Sequence, residues 1–217
     1  MTVKRENAGT LTRFHLKTER RANVIIGIAS HKGGTGKTTT SIHLAAILSR
    51  RAPTLLIDAD VNRSGLAWSR RGELPFKVVD EKAAARYTRD YQHIVIDTAA
   101  HPTRGDLAAM VEGSDLLIIL AEPEVMSLDV LPAMLEDLAA LGSEKHRVLL
   151  SQVSPRSEAL EARAAIEQLN AKTFKRHIRA YAAYKLAALR GTTVDKVPDP
   201  YAAEAWSDFL ALADEII

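Results

Sequence analysis

Residues 32–38, with the sequence KGGTGKT, combine lysine, glycine and threonine at a spacing that suits phosphate binding. Glycines let backbone N–H groups turn toward an anion, and a helix that begins directly afterwards adds the positive end of its dipole. Lys37 can then reach the β- and γ-phosphate oxygens of a nucleotide, and Thr38 can ligate Mg²⁺. We predict a nucleoside triphosphate site formed by Gly33, Gly34, Thr35, Gly36, Lys37, Thr38 and Thr39. The alternative is a glycine-rich turn without a ligand.

Three aspartates follow apolar segments further along the chain. Asp58 and Asp60 end the segment TLLIDAD at 54–60, and Asp97 ends HIVID at 93–97. Asp58 and Asp60 are two residues apart, so on a continuing strand both would project on one face. The Asp97 segment is typical of a strand that delivers a carboxylate to a Mg²⁺-bound water or to Thr38. A strand that ends in aspartate also often serves as a turn or a helix N-cap, and that alternative stays open.

The elements that must position these residues alternate between strands and helices, which predicts an α/β fold with a mostly parallel sheet covered on both faces. Ligands of such folds gather at the carboxyl ends of the strands. The predicted strands are 24–29, 54–58, 76–79, 93–97, 115–120, 147–152 and a short one near 172–177. The predicted helices are 37–50, 64–70, 104–112, 127–141, 158–169, 179–189 and 202–217.

The glycine-rich loop departs at one position from the pattern G-x-x-x-x-G-K-[ST], because His31 stands where the first glycine would be, and it contains a second lysine, Lys32. In this it resembles the deviant Walker A motif of the ParA/MinD family of ATPases. The resemblance covers the chain from about residue 23 and implies a P-loop NTPase fold, ATP and Mg²⁺ as ligands, and an ATP-dependent homodimer in which Lys32 reaches the partner's nucleotide. It assigns catalysis to Lys32, Lys37 and Asp60, with Asp60 orienting the attacking water, and metal binding to Thr38, Asp58 and Asp97.

The resemblance is incomplete in the segments that follow the carboxylates. Val61 and Asn62 stand where relatives often have Pro-Gln, and the predicted switch loop 99–106 retains only the later of two prolines. His101 in that loop is interpreted as a contact or a bystander, because phosphoryl transfer depends mainly on positioning and charge. For the adenine, we predict Gln152 at its edge and Val197, Pro198 and Asp199 as its wall. The motif N/T-K-x-D for guanine is absent after the strand at 147–152, which favours ATP over GTP.

Residues 172–190 contain six cations and no acid, interleaved with Tyr181 and Tyr184. This composition suits sequence-independent contact with the phosphates of double-stranded DNA. The predicted DNA-binding residues are Lys172, Lys175, Arg176, Arg179, Lys185 and Arg190. Two alternatives remain: an amphipathic helix whose cations are merely solvated, and a role for Arg179 at the nucleotide or the dimer seam.

Length and composition limit the remaining possibilities. A chain of 217 residues is long enough for one sizeable α/β core, so we predict one ATPase domain at 23–217 preceded by a basic, flexible arm at 1–22. That arm contains six cations against two acids; it contacts DNA or an acidic partner, has no role, or docks on the body through Leu11, Phe14 and Leu16. The chain lacks cysteine, and no apolar run approaches the roughly 20 residues that span a bilayer.

These observations predict a cytoplasmic, nucleoid-associated ATPase without a membrane anchor, because the C-terminal segment is acidic rather than basic and amphipathic. The resemblance implies that such a protein positions a cargo, a plasmid, a chromosome locus or a protein body such as a carboxysome, with a ParB-like or other adaptor that stimulates hydrolysis. The alternatives are a metabolic ATP-dependent ligase of the same superfamily and a nucleotide-gated scaffold that does not bind DNA.

Overall fold

The computed structural model describes residues 24–154 and 159–216. The predicted basic arm at 1–22 lies outside these residues. The described chain forms one six-stranded sheet with the strand order β3-β2-β4-β1-β5-β6, and every pair of neighbouring strands is parallel. The strands are β1 Val24–Ser30, β2 Thr54–Asp58, β3 Lys77–Asp80, β4 His93–Ala100, β5 Leu116–Ala121 and β6 His146–Leu150.

Helices cover both faces of the sheet, as predicted. One cluster of buried side chains joins Ile26 and Ile28 of β1 to helices α1, α7 and α8, and a second joins Leu117 and Ile119 of β5 to helices α3, α5 and α6. The strands are therefore apolar on both faces, as expected for a covered parallel sheet. The helices are α1 Lys37–Leu48, α2 Ser64–Ser69, α3 Arg104–Gly113, α4 Val125–Asp129, α5 Leu131–Ala140, α6 Ala159–Gln168, α7 Ala183–Arg190 and α8 Ala202–Asp214.

Three predicted elements differ from the structure. The helix predicted at 127–141 is two helices, α4 and α5, because Pro132 in the first turn of α5 has no N–H to continue the preceding helix. The strand predicted near 172–177 is wrong, since this segment forms one isolated bridge, between Val148 and Thr173, and a second bridge joins Val153 to Arg179 just beyond it. The helix predicted to begin at Arg179 begins at Ala183.

Helix α1 is almost completely enclosed between the sheet and α8, and it carries a buried histidine in its interior. Nδ1 of His43 donates to the Thr39 carbonyl at 2.7 Å, and Nε2 accepts the backbone N–H of Val194 at 3.0 Å. The ring stacks on Phe209 with 4.8 Å between centroids. Because the ring is fully enclosed, burial lowers the pKa of His43 to about 4, and the hydrogen bond to the Thr39 carbonyl only partly opposes this effect.

The neutral His43 ring makes folding pH-dependent. The unfolded chain takes up a proton near pH 6.5 and the folded chain does not, so the contribution of His43 to stability should fall as the pH decreases from about 6.5 to 4, by up to about 3 kcal/mol. Urea unfolding of the wild type, of His43→Gln and of the exposed His101→Gln at pH 7.5 and pH 5 measures this. Only His43→Gln should reduce the pH dependence; an equal loss in all three proteins would contradict the assignment.

Candidate functional site

The glycine-rich loop joins β1 to α1 at the carboxyl edge of the sheet. Gly34 and Gly36 have φ angles of 85° and 88°, which side chains with a Cβ rarely adopt, so glycine is required at both turns. No side chain caps the first turn of α1, and no acidic residue lies in it. The first N–H groups of a 12-residue helix therefore have no side-chain partner, an arrangement that favours an anion.

Lys37 is held across this loop. Its side chain is buried, and Nζ donates to the Ser30 hydroxyl at 3.0 Å, while that hydroxyl donates to the Lys32 carbonyl at 2.7 Å. Burial lowers the pKa of Lys37, and the charges of Asp97 and Asp60 oppose this effect. The ammonium is thus positioned before any anion arrives. Ser30 was missed from sequence, although it is the last residue of the strand that leads into the loop.

Thr38 and Asp97 lie together, as the sequence predicted. The Thr38 hydroxyl donates to Asp97 Oδ2 at 2.7 Å, and the Ser41 hydroxyl donates to Asp97 Oδ1 at 3.1 Å. Asp97 is fully buried, and burial raises its pKa to about 7. Ser41 was missed from sequence, but its position three residues after Thr38 puts it on the same side of α1, which is a usable signal.

This donor set fits Mg²⁺. A hydroxyl and a carboxylate are hard oxygen ligands, and Mg²⁺ is usually held by one or two protein oxygens together with waters and substrate phosphates. Among residues 24–154 and 159–216, no three His, Cys, Asp or Glu side chains form a cluster that could hold a metal ion alone. The Thr38 hydroxyl and the Asp97 carboxylate are therefore the protein groups best placed to hold such an ion beside a phosphate.

Asp58 and Asp60 both lie at this edge, but not on one strand face as the sequence argument assumed. Strand β2 ends at Asp58, whose neighbour in the ladder is Asp97. The buried Asp58 carboxylate accepts the N–H of Asp60 at 3.2 Å and of Leu66 at 2.9 Å. It therefore stabilises the turn after β2 and the first turn of α2, as the alternative interpretation of a strand that ends in aspartate expects. Burial raises its pKa. Asp60 lies in the following turn, where it accepts the N–H of Asn62 at 2.8 Å.

Lys32 binds two acids that the sequence analysis did not single out. Its Nζ lies 2.8 Å from Oε2 of Glu122 and 3.5 Å from Oε2 of Glu124, in the segment that follows β5. The amide nitrogen of Gln152 donates to Oε1 of Glu122 and to the Gly34 carbonyl. Gln152 is therefore tied to the glycine-rich loop. The signal that could have identified Glu122 is its place in the sequence, because Glu122 directly follows β5 and β5 is the neighbour of β1 in the sheet.

A cavity of about 470 Å³ lies beside the loop. Gly36, Thr39 and Gln152 line one side, and the segment 178–182 with Tyr184 lines another. None of the predicted adenine-wall residues Val197, Pro198 and Asp199 lines this cavity, and their contact with a base stays a prediction. Val197 is buried in the hydrophobic core, and Asp199 holds the N–H of Tyr201 at the start of α8. The chain beside the cavity lies about twenty residues earlier.

The six predicted DNA-binding cations are not equivalent. Five have exposed side chains: Lys172, Lys175, Arg176, Lys185 and Arg190. Arg179 instead forms a bidentate pair with the buried carboxylate of Asp208 in α8, with Nη2 and Oδ1 2.9 Å apart. Arg179 therefore differs from the other five cations in that its guanidinium is already paired with a carboxylate, and its contact with DNA stays a prediction. The local sequence contains no acid, but the fold brings Asp208 and Glu215 to this region.

His101 has a positive φ of 53°, and its ring contacts the ring of His31 in an edge-to-face arrangement with centroids 5.4 Å apart. The segment after β4 therefore lies against the residue that replaces the first glycine of the loop pattern.

None of the helices in the described residues is both long enough and apolar enough to cross a membrane.

Comparison with known proteins gives three kinds of match. Residues 26–194 match the family model described as the CobQ/CobB/MinD/ParA nucleotide binding domain. A maintenance of carboxysome distribution protein A from Gloeobacter kilaueensis is 34% identical over 201 residues, which cover 88% of this chain and 93% of that protein.

Two solved structures share the fold at lower identity. The ATP complex of a Cyanothece McdA variant superimposes with a TM-score of 0.69 at 19% identity, covering 90% of this chain and 97% of that one. The complex of MinC and MinD from Aquifex aeolicus superimposes with a TM-score of 0.72 at 18% identity, covering 89% of this chain and 95% of that one.

The raised pKa of Asp97 predicts an effect on stability. Because the folded chain favours the protonated carboxyl, the contribution of Asp97 to stability should fall as the pH rises from about 4 to 7, and Asp97→Asn should remove this loss. In urea unfolding without nucleotide or divalent ions, Asp97→Asn should be more stable than the wild type at pH 8, by up to about 4 kcal/mol, with a smaller difference at pH 5. A variant less stable at both pH values would contradict this explanation.

Proposed function

We propose, from the premise that this chain belongs to the CobQ/CobB/MinD/ParA nucleotide-binding family, that it binds ATP with Mg²⁺ at residues 32–38 and hydrolyses the γ-phosphate. One observation carries the proposal. The buried ammonium of Lys37 and the hydrogen-bonded pair of Thr38 and Asp97 converge on a loop whose backbone is shaped for an anion. We further propose that residues 23–217 act as one ATPase domain and that residues 1–22 are a separate arm.

Hydrolysis would follow from positioning and charge. Lys37 and the N–H groups of the loop bind the β- and γ-phosphates, and Thr38 with Asp97, assisted by Asp58, holds the metal. Mg²⁺, when bound, neutralises negative charge on the phosphate oxygens. Asp60, in the turn after β2 and close enough for its charge to raise the pKa of Lys37, orients the attacking water. The cavity of about 470 Å³ receives the base, with the segment 178–182 as its wall.

Lys32 gives the proposed ATPase its link to assembly. Lys32 and the preceding His31 are the residues at which the loop departs from the usual pattern. We propose that Lys32 contacts the partner's nucleotide in an ATP-bound homodimer. Two nucleotide-free loops, each with two lysines, would repel one another across such an interface, so closure would depend on bound phosphate. Hydrolysis would then return the protein to its open state.

We propose that the dimer binds double-stranded DNA without sequence preference, associates with the nucleoid, and positions a cargo through an adaptor that stimulates hydrolysis. The support is the cluster of exposed cations between Lys172 and Arg190, together with the name of the relative from Gloeobacter kilaueensis, which refers to carboxysome distribution. A dimer would join two such surfaces, and two linked sites bind a duplex far more tightly than one. Arg179 supports this proposal less than the other five cations do, because it pairs with Asp208.

The nucleotide site is tested by Lys37→Ala. Removal of the buried ammonium should abolish measurable binding of ATP·Mg²⁺ in isothermal titration calorimetry, because no other group in the described loop occupies its position. Lys32→Ala is the matched control, since it removes a lysine from the same loop and should retain nucleotide binding. Unchanged affinity in Lys37→Ala would reject the assignment of this loop.

The DNA surface is tested by Lys172→Ala, with the equally exposed Lys82→Ala as a control outside the cluster. With ATP·Mg²⁺, Lys172→Ala should bind a random duplex more weakly and lower the slope of log affinity against log salt by about one. Asp60→Ala, which should bind ATP without hydrolysing it, should prolong binding. If no nucleotide state of the wild type binds DNA, the DNA proposal fails and the nucleotide site remains to be judged by Lys37→Ala.

A further inference from the structure

Lys32 is already occupied within its own chain. Its ammonium lies 2.8 Å from the Glu122 carboxylate, whose side chain is 10% exposed, whereas the Lys32 side chain is 38% exposed. The second acid, Glu124, lies further away at 3.5 Å and is 66% exposed. An ion pair with a partly desolvated carboxylate is stronger than one at the surface, because water screens it less. Glu122 is therefore the principal partner of Lys32 in the nucleotide-free chain.

The Glu122 carboxylate is fixed and cannot follow Lys32 outward. Its backbone N–H donates to the Ser127 hydroxyl at 3.0 Å, directly after β5, and its Oε1 accepts from the Gln152 amide. Gln152 in turn donates to the Gly34 carbonyl of the glycine-rich loop. The backbone and both carboxylate oxygens of Glu122 are thus engaged. Any movement of Lys32 away from this position breaks the ion pair and leaves a nearly buried charge without its cation.

In the nucleotide-free chain the Lys32 ammonium already contacts two carboxylates of its own chain, so the phosphates of a partner's nucleotide would have to compete with them for its N–H donors. We propose that Glu122 is a positioning residue that holds Lys32 within its own chain in the nucleotide-free state, and that this contact must break before Lys32 can act in trans. The contact keeps the free chain from closing, and the phosphates of the partner's nucleotide compete with Glu122 for the same cation. The effect on the partner's nucleotide site rests on the proposed dimer, whereas the contact between Lys32 and Glu122 does not.

The first measurement examines the contact without nucleotide. Wild type, Glu122→Gln and the matched control Glu124→Gln are labelled with trace formaldehyde and borohydride, and methylation of each lysine is followed by peptide mass spectrometry. Because Glu122→Gln removes the principal anionic partner of Lys32, Lys32 labelling should rise by roughly five-fold in this variant. In Glu124→Gln it should change less than two-fold. Equal Lys32 labelling in wild type and Glu122→Gln would overturn the proposal.

The second measurement examines the consequence. Sedimentation velocity with a non-hydrolysable ATP analogue and Mg²⁺ should show Glu122→Gln dimerising at about five-fold lower protein concentration than the wild type, with Glu124→Gln close to the wild type. Adding Lys32→Ala to Glu122→Gln should remove this gain, because the released cation is then absent. Weaker dimerisation of Glu122→Gln would overturn the proposal, since Glu122 would then support the dimer rather than restrain Lys32.

The two measurements also separate this inference from the proposed function. If the wild type stays monomeric with the nucleotide analogue, the proposed dimer fails, and the labelling result still decides whether Glu122 holds Lys32. Circular dichroism and thermal unfolding of each variant check that the fold is retained. Because Glu122→Gln keeps a side-chain oxygen that can accept from Gln152, it removes the charge with little change in shape.

Discussion

The parallel register of β1 with β4 and β5 is the constraint on which the site depends. Asp97 of β4 lies beside Ile28 of β1, and Asp58 of β2 lies beside Asp97, so each carboxylate reaches the edge where the glycine-rich loop begins. The same alignment brings Glu122 to Lys32 from the other side. In a sheet with antiparallel neighbours, alternate strands would deliver these residues to opposite edges. The chemistry therefore follows from strand direction as much as from residue type.

The site is assembled at a cost to the stability of the free chain. Asp97 is enclosed beside Thr38 and Ser41, with its pKa raised by burial, and Lys37 is enclosed with its pKa lowered by burial. Charged groups held in low-dielectric surroundings interact strongly with an arriving phosphate or cation, and they destabilise the fold while none is present. Helix α1 tolerates this arrangement because the sheet and α8 enclose the rest of it, including the neutral His43.

Ion pairs formed in the folded chain decide which of its cations are available to bind phosphate. Lys32 and Arg179 look alike in the sequence as basic residues near possible phosphate sites. In the structure Lys32 contacts a nearly buried glutamate and retains an exposed side, whereas Arg179 is committed to the fully buried Asp208 by several hydrogen bonds. Breaking either pair would leave a carboxylate without its cation, but the cost is greater for Asp208, which is fully buried, than for Glu122, which is 10% exposed. A lysine or arginine near a phosphate site can therefore bind phosphate only when its ion pair with a carboxylate of the same chain can be broken.

The sequence by itself determined the six strands of the sheet, most helices, and the meeting of Thr38 with Asp97, because these follow from local apolar periodicity and from the rule that parallel strands end at one edge. It failed where the outcome depended on contacts between distant segments. Glu122, Gln152 and Asp208 come from three separate parts of the chain, so no local pattern connected them to Lys32 or Arg179. Likewise, the segment 178–182 lines the cavity because the chain after β6 hydrogen-bonds back onto that strand, and these contacts join residues too far apart in the sequence for a local pattern to indicate them.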